Sequence, residues 1–220
     1  RLQDEPLRYR AYFIKAMRAV VFLTMPMVIF TCVEARELIL ILLGSRWLPV
    51  VPIFMALAPA SLFGVSNVFS GWLYQSLGRV DRMFKSGTAM LGVMIVAFVA
   101  GLPWGGLGVA AAYSIAWGLL VLPMMAYAVR GTPLTLADMG AAVWRPVVFS
   151  AASGAATLWF KSALPVPGPV AARCAADGVF FCLVYAGAWA VFSGGREYFF
   201  SIASPVMRWG RDFIDRRSRA

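Results

Sequence analysis

Few side chains in this 220-residue chain have types and spacings suited to chemistry. There is no histidine, which removes the commonest general base and metal ligand. Cys32, Cys174 and Cys182 show no CxxC spacing. The last two would lie about 12 Å apart along one helix, too far for a disulfide, so the cysteines read as small core residues. The carboxylates fall near the ends of apolar runs or in the loops between them, and none sits at the centre of a run. No catalytic residue, metal site or cofactor is therefore expected. What remains is cationic. Arg79, Arg82 and Lys85, with Asp81 among them, occupy "LGRVDRMFKSG" (77–87) between two long apolar runs. Lys15 and Arg18 stand at the mouth of another. Arginine makes bidentate contacts with phosphate, so anion binding is the chemistry open to these groups. The competing reading is that they set membrane topology and meet anionic lipid headgroups.

The elements that must position them are set by composition. The chain is 61% hydrophobic and 14% charged, with a mean hydropathy of +0.76. A soluble domain averages roughly 45–50% apolar and about 25% charged, so both departures indicate an all-α integral membrane protein. The net charge of +10 would suggest nucleic acid in a soluble protein. No aromatic-basic RNA motif or zinc-ligand set accompanies it here, and cytoplasmic loops of membrane proteins carry excess Lys and Arg. The chain opens on "RLQDEPLRYR", polar and without Met. That start reads as the cut end of a longer protein.

A membrane helix needs roughly 20 mostly apolar residues. Six stretches qualify: 12–33, 49–77, 83–102, 107–129, 146–164 and 170–192. Together, residues 1–192 hold six helical spans. "PWGGLG" (103–108) and "PVPGP" (165–169) supply turns. "EARELILILLGSRWLP" (34–49) extends the first helix and breaks at Gly44. "GTPLTLADMGAAVWR" (131–145) reads as a short amphipathic helix opened by a Thr135–Asp138 capping box. The tail, 193–220, mixes arginine with aromatics and reads as a basic amphipathic segment on anionic lipid. Alternating the sides leaves only Arg36, Arg46, Lys161 and Arg173 of the 20 cations opposite the rest. The positive-inside rule then makes both ends of the segment cytoplasmic.

Two features inside the spans invite a functional reading. Pro26 interrupts the first span, either as a hinge or as a static kink. In the second, Gly64, Asn67, Gly71, Tyr74 and Gly78 share one helical face, with Ser70 and Gln75 beside it. That face either packs against another helix or lines a hydrated cavity. No carboxylate lies deep in the membrane, where a proton- or sodium-coupled pump keeps one.

"ELILILLGSRWLPVVPIFMALAPASLFG", "GWLYQSLGRVDRMFKSG" and "GLPWGGLGVAAAYSIAWGLLVLP" resemble the polysaccharide transporter (Wzx-like) family. That family belongs to the superfamily of multidrug, oligosaccharidyl-lipid and polysaccharide exporters. "LQDEPLRYRAYFIKAMR" is similar to the cytoplasmic entry of the family's seventh helix. The resemblance covers about residues 2–145, and the last two spans match only in character. It implies the C-terminal lobe of a two-lobe flippase in the bacterial inner membrane, partnered by an N-terminal lobe that lies outside these residues. The implied activity is alternating-access transport of undecaprenyl-pyrophosphate-linked oligosaccharide, for exopolysaccharide, capsule or O-antigen. Lys15, Arg18, Arg79 and Arg82 would then draw the diphosphate, and Asn67, Tyr74 and Gln75 would line the path. The alternatives are a drug or metabolite exporter of the same superfamily, a glycan polymerase or acyltransferase, and a membrane scaffold.

Overall fold

The computed structural model describes residues 5–164 and 167–191. Within them the regular structure is helical throughout, and no strand is present. The long helices are α1 (Pro6–Val33), α3 (Val51–Ser76), α4 (Val80–Gly101), α5 (Gly105–Val129), α6 (Leu136–Ala163) and α7 (Val170–Val191). The short α2 (Ala35–Leu42) follows α1, and 3₁₀ turns lead into α3 and α5. The proposed tail at 193–220 lies outside the described residues.

Four stretches are long and apolar enough to cross a membrane: Pro6–Val33, Ser45–Ser76, Val80–Val129 and Val170–Val191. The protein is therefore a multi-pass membrane protein by length and composition. The third stretch holds both α4 and α5, joined through the turn at Leu102–Trp104. α6 is not among the four. It carries Asp138, Arg145 and Lys161 along its length. The outer surface is apolar: Leu23, Met27, Leu91, Val96, Leu119 and Leu183 are all exposed. Hydrocarbon is the medium such a surface suits.

Two boundaries differ from the sequence reading. The 131–145 segment is not a separate helix, because α6 runs without interruption from Leu136 through Pro146 to Ala163. Its start is the expected capping box. The Thr135 hydroxyl accepts from the Asp138 amide, and the Asp138 carboxylate accepts from the Thr135 amide. At the other end of α1, Glu34 leaves helical geometry, so α2 is a new helix rather than an extension. Gly44 stops α2 with a positive φ of 88°.

Three clusters hold the bundle together. In the largest, Phe13, Met17, Val21 and Met25 of α1 recur every fourth residue and meet Phe69, Leu73 and Tyr74 of α3. Met125 and Ala128 of α5 and Met139 and Ala142 of α6 close it. A second cluster packs Ala60, Met94, Ala116 and Trp117 between α3, α4 and α5. The third is aromatic: Trp189 of α7 meets Phe149 of α6 and Phe22 of α1, with ring centroids 5.0 and 5.3 Å away.

Small residues let backbones touch, as membrane helices require. On α6, Gly154 faces α1 so closely that an added Cβ would lie 2.8 Å from Ile29 Cγ2. The "GGLGV" start of α5 packs as the sequence suggests. A Cβ on Gly108 would lie 2.5 Å from both the Gly101 carbonyl oxygen and Trp104 Cβ. Gly108→Ala should therefore destabilise the protein by about 1–3 kcal/mol, the usual cost of overpacking. Gly92, with open space around its Cβ position, provides the contrast. Gly92→Ala should stabilise by about 0.5–1 kcal/mol through lost backbone freedom. Thermal melting of the detergent-solubilised protein separates the two directions.

Candidate functional site

The turn at 77–87 is built from backbone needs. Gly78 adopts φ 66°, which lets the Gly78 and Arg79 amides turn back to the carbonyls of Gln75 and Tyr74, at 3.2 and 2.8 Å. This is a left-handed helix stop that favours glycine. α4 starts at once, with Asp81 in its first turn, where a carboxylate suits the helix dipole. The two arginines then reach across to the end of α5. Arg79 Nη1 and Arg82 Nη1 donate to the Arg130 carbonyl at 2.6 and 2.7 Å, and Arg79 Nη2 donates to the Gly131 carbonyl. Arg82 also lies 5.8 Å from the centre of the Tyr127 ring. The last carbonyls of a helix have no partner within it, and these guanidinium groups supply one.

The remaining residues singled out from sequence do not converge on one face. Tyr74 packs in the core, 3% exposed, beside Phe69 and Leu73. Asn67, seven residues earlier on the same stripe of α3, is exposed, and so is Gln75. Gly71, half-buried, lies between them in the sequence. Asn67, Gly71 and Gln75, spaced by four, make the more open polar stripe of α3, and Tyr74 beside it is covered by the packing of the largest cluster. Lys15 and Arg18 are half-buried on the first half of α1.

At the same end, Arg10 of α1 grips Asp138 in the first turn of α6 with a two-pronged contact. Nε donates at 2.9 Å and Nη2 at 2.5 Å. The Arg10 hydrogen bond is the main cause that holds the Asp138 carboxyl down at about 2, and the Thr135 bonds add to it.

Pro26 lies inside an otherwise continuous α1. Proline has no N–H, so the carbonyl four residues back, on Phe22, loses its helical donor. The Tyr185 hydroxyl of α7 donates to that carbonyl at 3.0 Å. A groove of about 800 Å³ lies between α1 and α7 around this point, walled by Phe22, Pro26, Phe30, Gly178, Cys182 and Tyr185.

The opposite end of the bundle carries a cluster that the sequence reading did not single out. Lys161, in the last turn of α6, lies 2.9 Å from Glu34 Oε1 and 3.1 Å from Glu37 Oε1. Its ammonium is 4.0 Å from Asp177 Oδ2 of α7. Glu34 is fully buried and Asp177 is 4% exposed. Glu34 Oε2 is also buried and makes no hydrogen bond. Burial pushes the Glu34 carboxyl above the usual carboxylate range, against the pull of Lys161. These acids sit near helix ends, as their sequence positions require, yet Glu34 and Asp177 are withdrawn from the surface. The available signal was charge balance: Lys161 is one of only four cations placed on that side, and three acids, Glu34, Glu37 and Asp177, flank the same helix ends. Among the described residues no group of acids, histidines or cysteines is arranged to hold a metal ion.

Residues 1–52 match the model of a family described as a polysaccharide biosynthesis protein. The matched stretch contains Pro26, Glu34 and Glu37, together with Lys15 and Arg18. No curated protein and no solved structure matches the chain.

Two outcomes follow from this geometry. Tyr185→Phe removes the hydroxyl that donates to the Phe22 carbonyl in an apolar setting, a loss of about 1–3 kcal/mol, so thermal melting should shift down while Cys182→Ser at the groove mouth has little effect. Asp138 has a folded pKa below its unfolded one, so its contribution is fully present above roughly pH 4 and is lost as pH falls through about 2. The melting-temperature gap between wild type and Asp138→Asn should be constant above roughly pH 5 and shrink steadily below roughly pH 4.

Proposed function

We propose that this chain is one lobe of a flippase that moves undecaprenyl-pyrophosphate-linked oligosaccharide across the bacterial inner membrane. The observation that carries the reading is the match of residues 1–52 to a polysaccharide biosynthesis family, on a chain whose helices are long and apolar enough for several membrane crossings. In this reading all six long helices cross the membrane, and both ends of the segment are cytoplasmic. The lobe faces an N-terminal partner lobe across a central cavity and rocks against it, in the alternating-access manner of repeat-built transporters.

The residues fall into roles on that basis. Asn67 and Gln75 of the Asn67–Gly71–Gln75 face of α3 are exposed, and an amide left facing hydrocarbon unpaired is costly. This face lines the cavity. Lys15 and Arg18 attract the diphosphate at the cytoplasmic mouth. Arg79 and Arg82 brace the end of α5 with the donors they already commit there, and add to the positive field that draws anionic substrate and lipid headgroups. An ion-coupled drug exporter gains some ground from the buried Glu34 and Asp177. The polysaccharide match favours the lipid-linked saccharide as cargo.

The test uses the whole protein in a strain lacking its own flippase. Surface polysaccharide should be restored, and lipid-linked oligosaccharide should stop accumulating on the cytoplasmic leaflet. Lys15→Ala should lower the flipping rate by about tenfold at equal abundance, the loss of roughly 1.4 kcal/mol of diphosphate attraction. Single cysteines at 67 and 75 should react with a water-soluble maleimide, and those at 69 and 73 should not. Failure to restore polysaccharide removes the flippase reading. Protection at 67 and 75 removes the cavity assignment.

A further inference from the structure

The Glu34–Lys161 cluster joins four elements at one point. Glu34 forms the corner between α1 and α2, Glu37 lies on α2, Lys161 ends α6, and Asp177 lies on α7. Two other titratable or charged side chains of α7 face or flank it. Cys174 is buried beside the acids, and Arg173 is exposed near Asp177. Three carboxylates thus share one close ammonium, and the exposed Arg173 leaves the group with more acid than base. Glu34 holds the excess in its least tolerable form, since Oε2 is sealed from solvent and has no donor. A buried ionised carboxylate without a partner is strongly disfavoured, and three ways exist to relieve it.

A metal ion would have to sit beside Lys161, whose ammonium already occupies the point where the three carboxylates converge. A water would need room and further polar partners. A proton needs neither. It adds to Glu34 Oε2, turns an orphaned acceptor into a hydroxyl, and cancels the excess charge. The Lys161 side chain is 24% exposed and that of Glu37 is 23% exposed, so the cluster touches the outside medium on one flank while Glu34 stays sealed.

We infer that the Glu34–Glu37–Lys161–Asp177 cluster is a proton-binding site whose occupancy sets how tightly the α1–α2 corner is held to α6 and α7. In the step itself, one proton leaves hydronium in the adjoining water and bonds to a carboxylate oxygen of the cluster, with Glu34 as its resting place. The cluster loses one negative charge and Lys161 loses part of its hold on the corner. Raising the pH reverses the step and tightens the clasp. The site does not depend on what cargo the protein carries.

The test is made on the full-length protein in detergent or nanodiscs. Infrared difference spectra across a pH series should contain a carboxylic C=O band that disappears as pH rises. That band should be lost in Glu34→Gln and retained in Asp138→Asn. In Lys161→Met its midpoint should move to higher pH, because the ammonium that favours the ionised form is gone; a merely structural lysine would leave the midpoint in place. Hydrogen–deuterium exchange over residues 34–42, corrected for intrinsic pH dependence, should quicken at low pH in the wild type and become independent of pH in Glu34→Gln. Asp177→Asn serves as the second variant should Glu34→Gln fail to accumulate: it removes a neighbouring negative charge, so the midpoints of the band and of the exchange should both move to lower pH. The inference is overturned by a spectrum with no titrating carboxylic band, by a band that survives in Glu34→Gln, by a midpoint that Asp177→Asn leaves in place, or by exchange in residues 34–42 that is indifferent to pH in the wild type. It is also overturned if sodium chloride removes the band at fixed pH where choline chloride does not, for that marks a metal-cation site.

Discussion

Hydrocarbon supplies no hydrogen bonds, so every polar group carried into a bilayer must find its partner within the protein. Much of this structure is arranged around that demand. Pro26 deprives the Phe22 carbonyl of its donor, and α7 answers with the Tyr185 hydroxyl. Near Pro59 of α3, the Ser114 hydroxyl of α5 donates to the Ala56 carbonyl at 2.5 Å. At the end of α5 the exposed carbonyls of Arg130 and Gly131 are taken up by Arg79 and Arg82. In each case the partner comes from another helix, so satisfying the backbone also fixes how the helices sit against one another. The tyrosine that repairs α1 is the residue that aligns α7, and the arginines that open α4 also tie it to α5.

Charge is used in two different ways at the two ends of the bundle. Where α1 and α6 begin, Arg10 and Asp138 lie near the surface and complete a helix cap. Such a pair is local and tolerant, since water can replace either partner. Where α1 and α6 end, Lys161 gathers Glu34 and Asp177, both buried, and the half-buried Glu37. A buried set of this kind pays a desolvation penalty that only full pairing offsets, and Glu34 is incompletely paired. One arrangement stabilises a helix start, whereas the other concentrates unspent electrostatic energy at the corner between two helices.

The proposed transport function draws on both ends. An exposed polar face on α3 and a cationic entry suit a charged, sugar-bearing cargo. The incompletely paired charge cluster at the far end of the same bundle is a place where an external condition can act on helix packing. The link between them is α1, which carries Lys15, Arg18 and Pro26 and ends at Glu34.

Much was legible in the residues alone. Long uninterrupted apolar runs in a chain that must hydrogen-bond its own backbone leave helices as the economical solution, so the positions of α3, α4, α5 and α7 follow from hydropathy to within a few residues, while α1 begins six residues before its apolar run, at Pro6. Turn chemistry placed Gly44 at a helix end, and the Thr135–Asp138 spacing marked a cap, because these are local interactions between near neighbours in the chain, whereas Gly78, read as the last member of a helical face, lies beyond the end of α3 at a positive φ. Partnership across the chain was not legible. Nothing near Pro26 names Tyr185, some 160 residues away. Tyr74 shares a nominal helical stripe with Asn67, and only the positions of α1 and α5 decide that one is buried and the other exposed. Arg79 and Arg82 read as free cations until the end of α5 is set beside them. The acids at 34, 37 and 177 read as ordinary loop and helix-end charges, because one-dimensional position fixes depth along a helix but not which face the neighbouring helices cover. Pattern along the chain determines where helices form. Long-range packing determines which of their polar groups meet, and with that which of them are left with work to do.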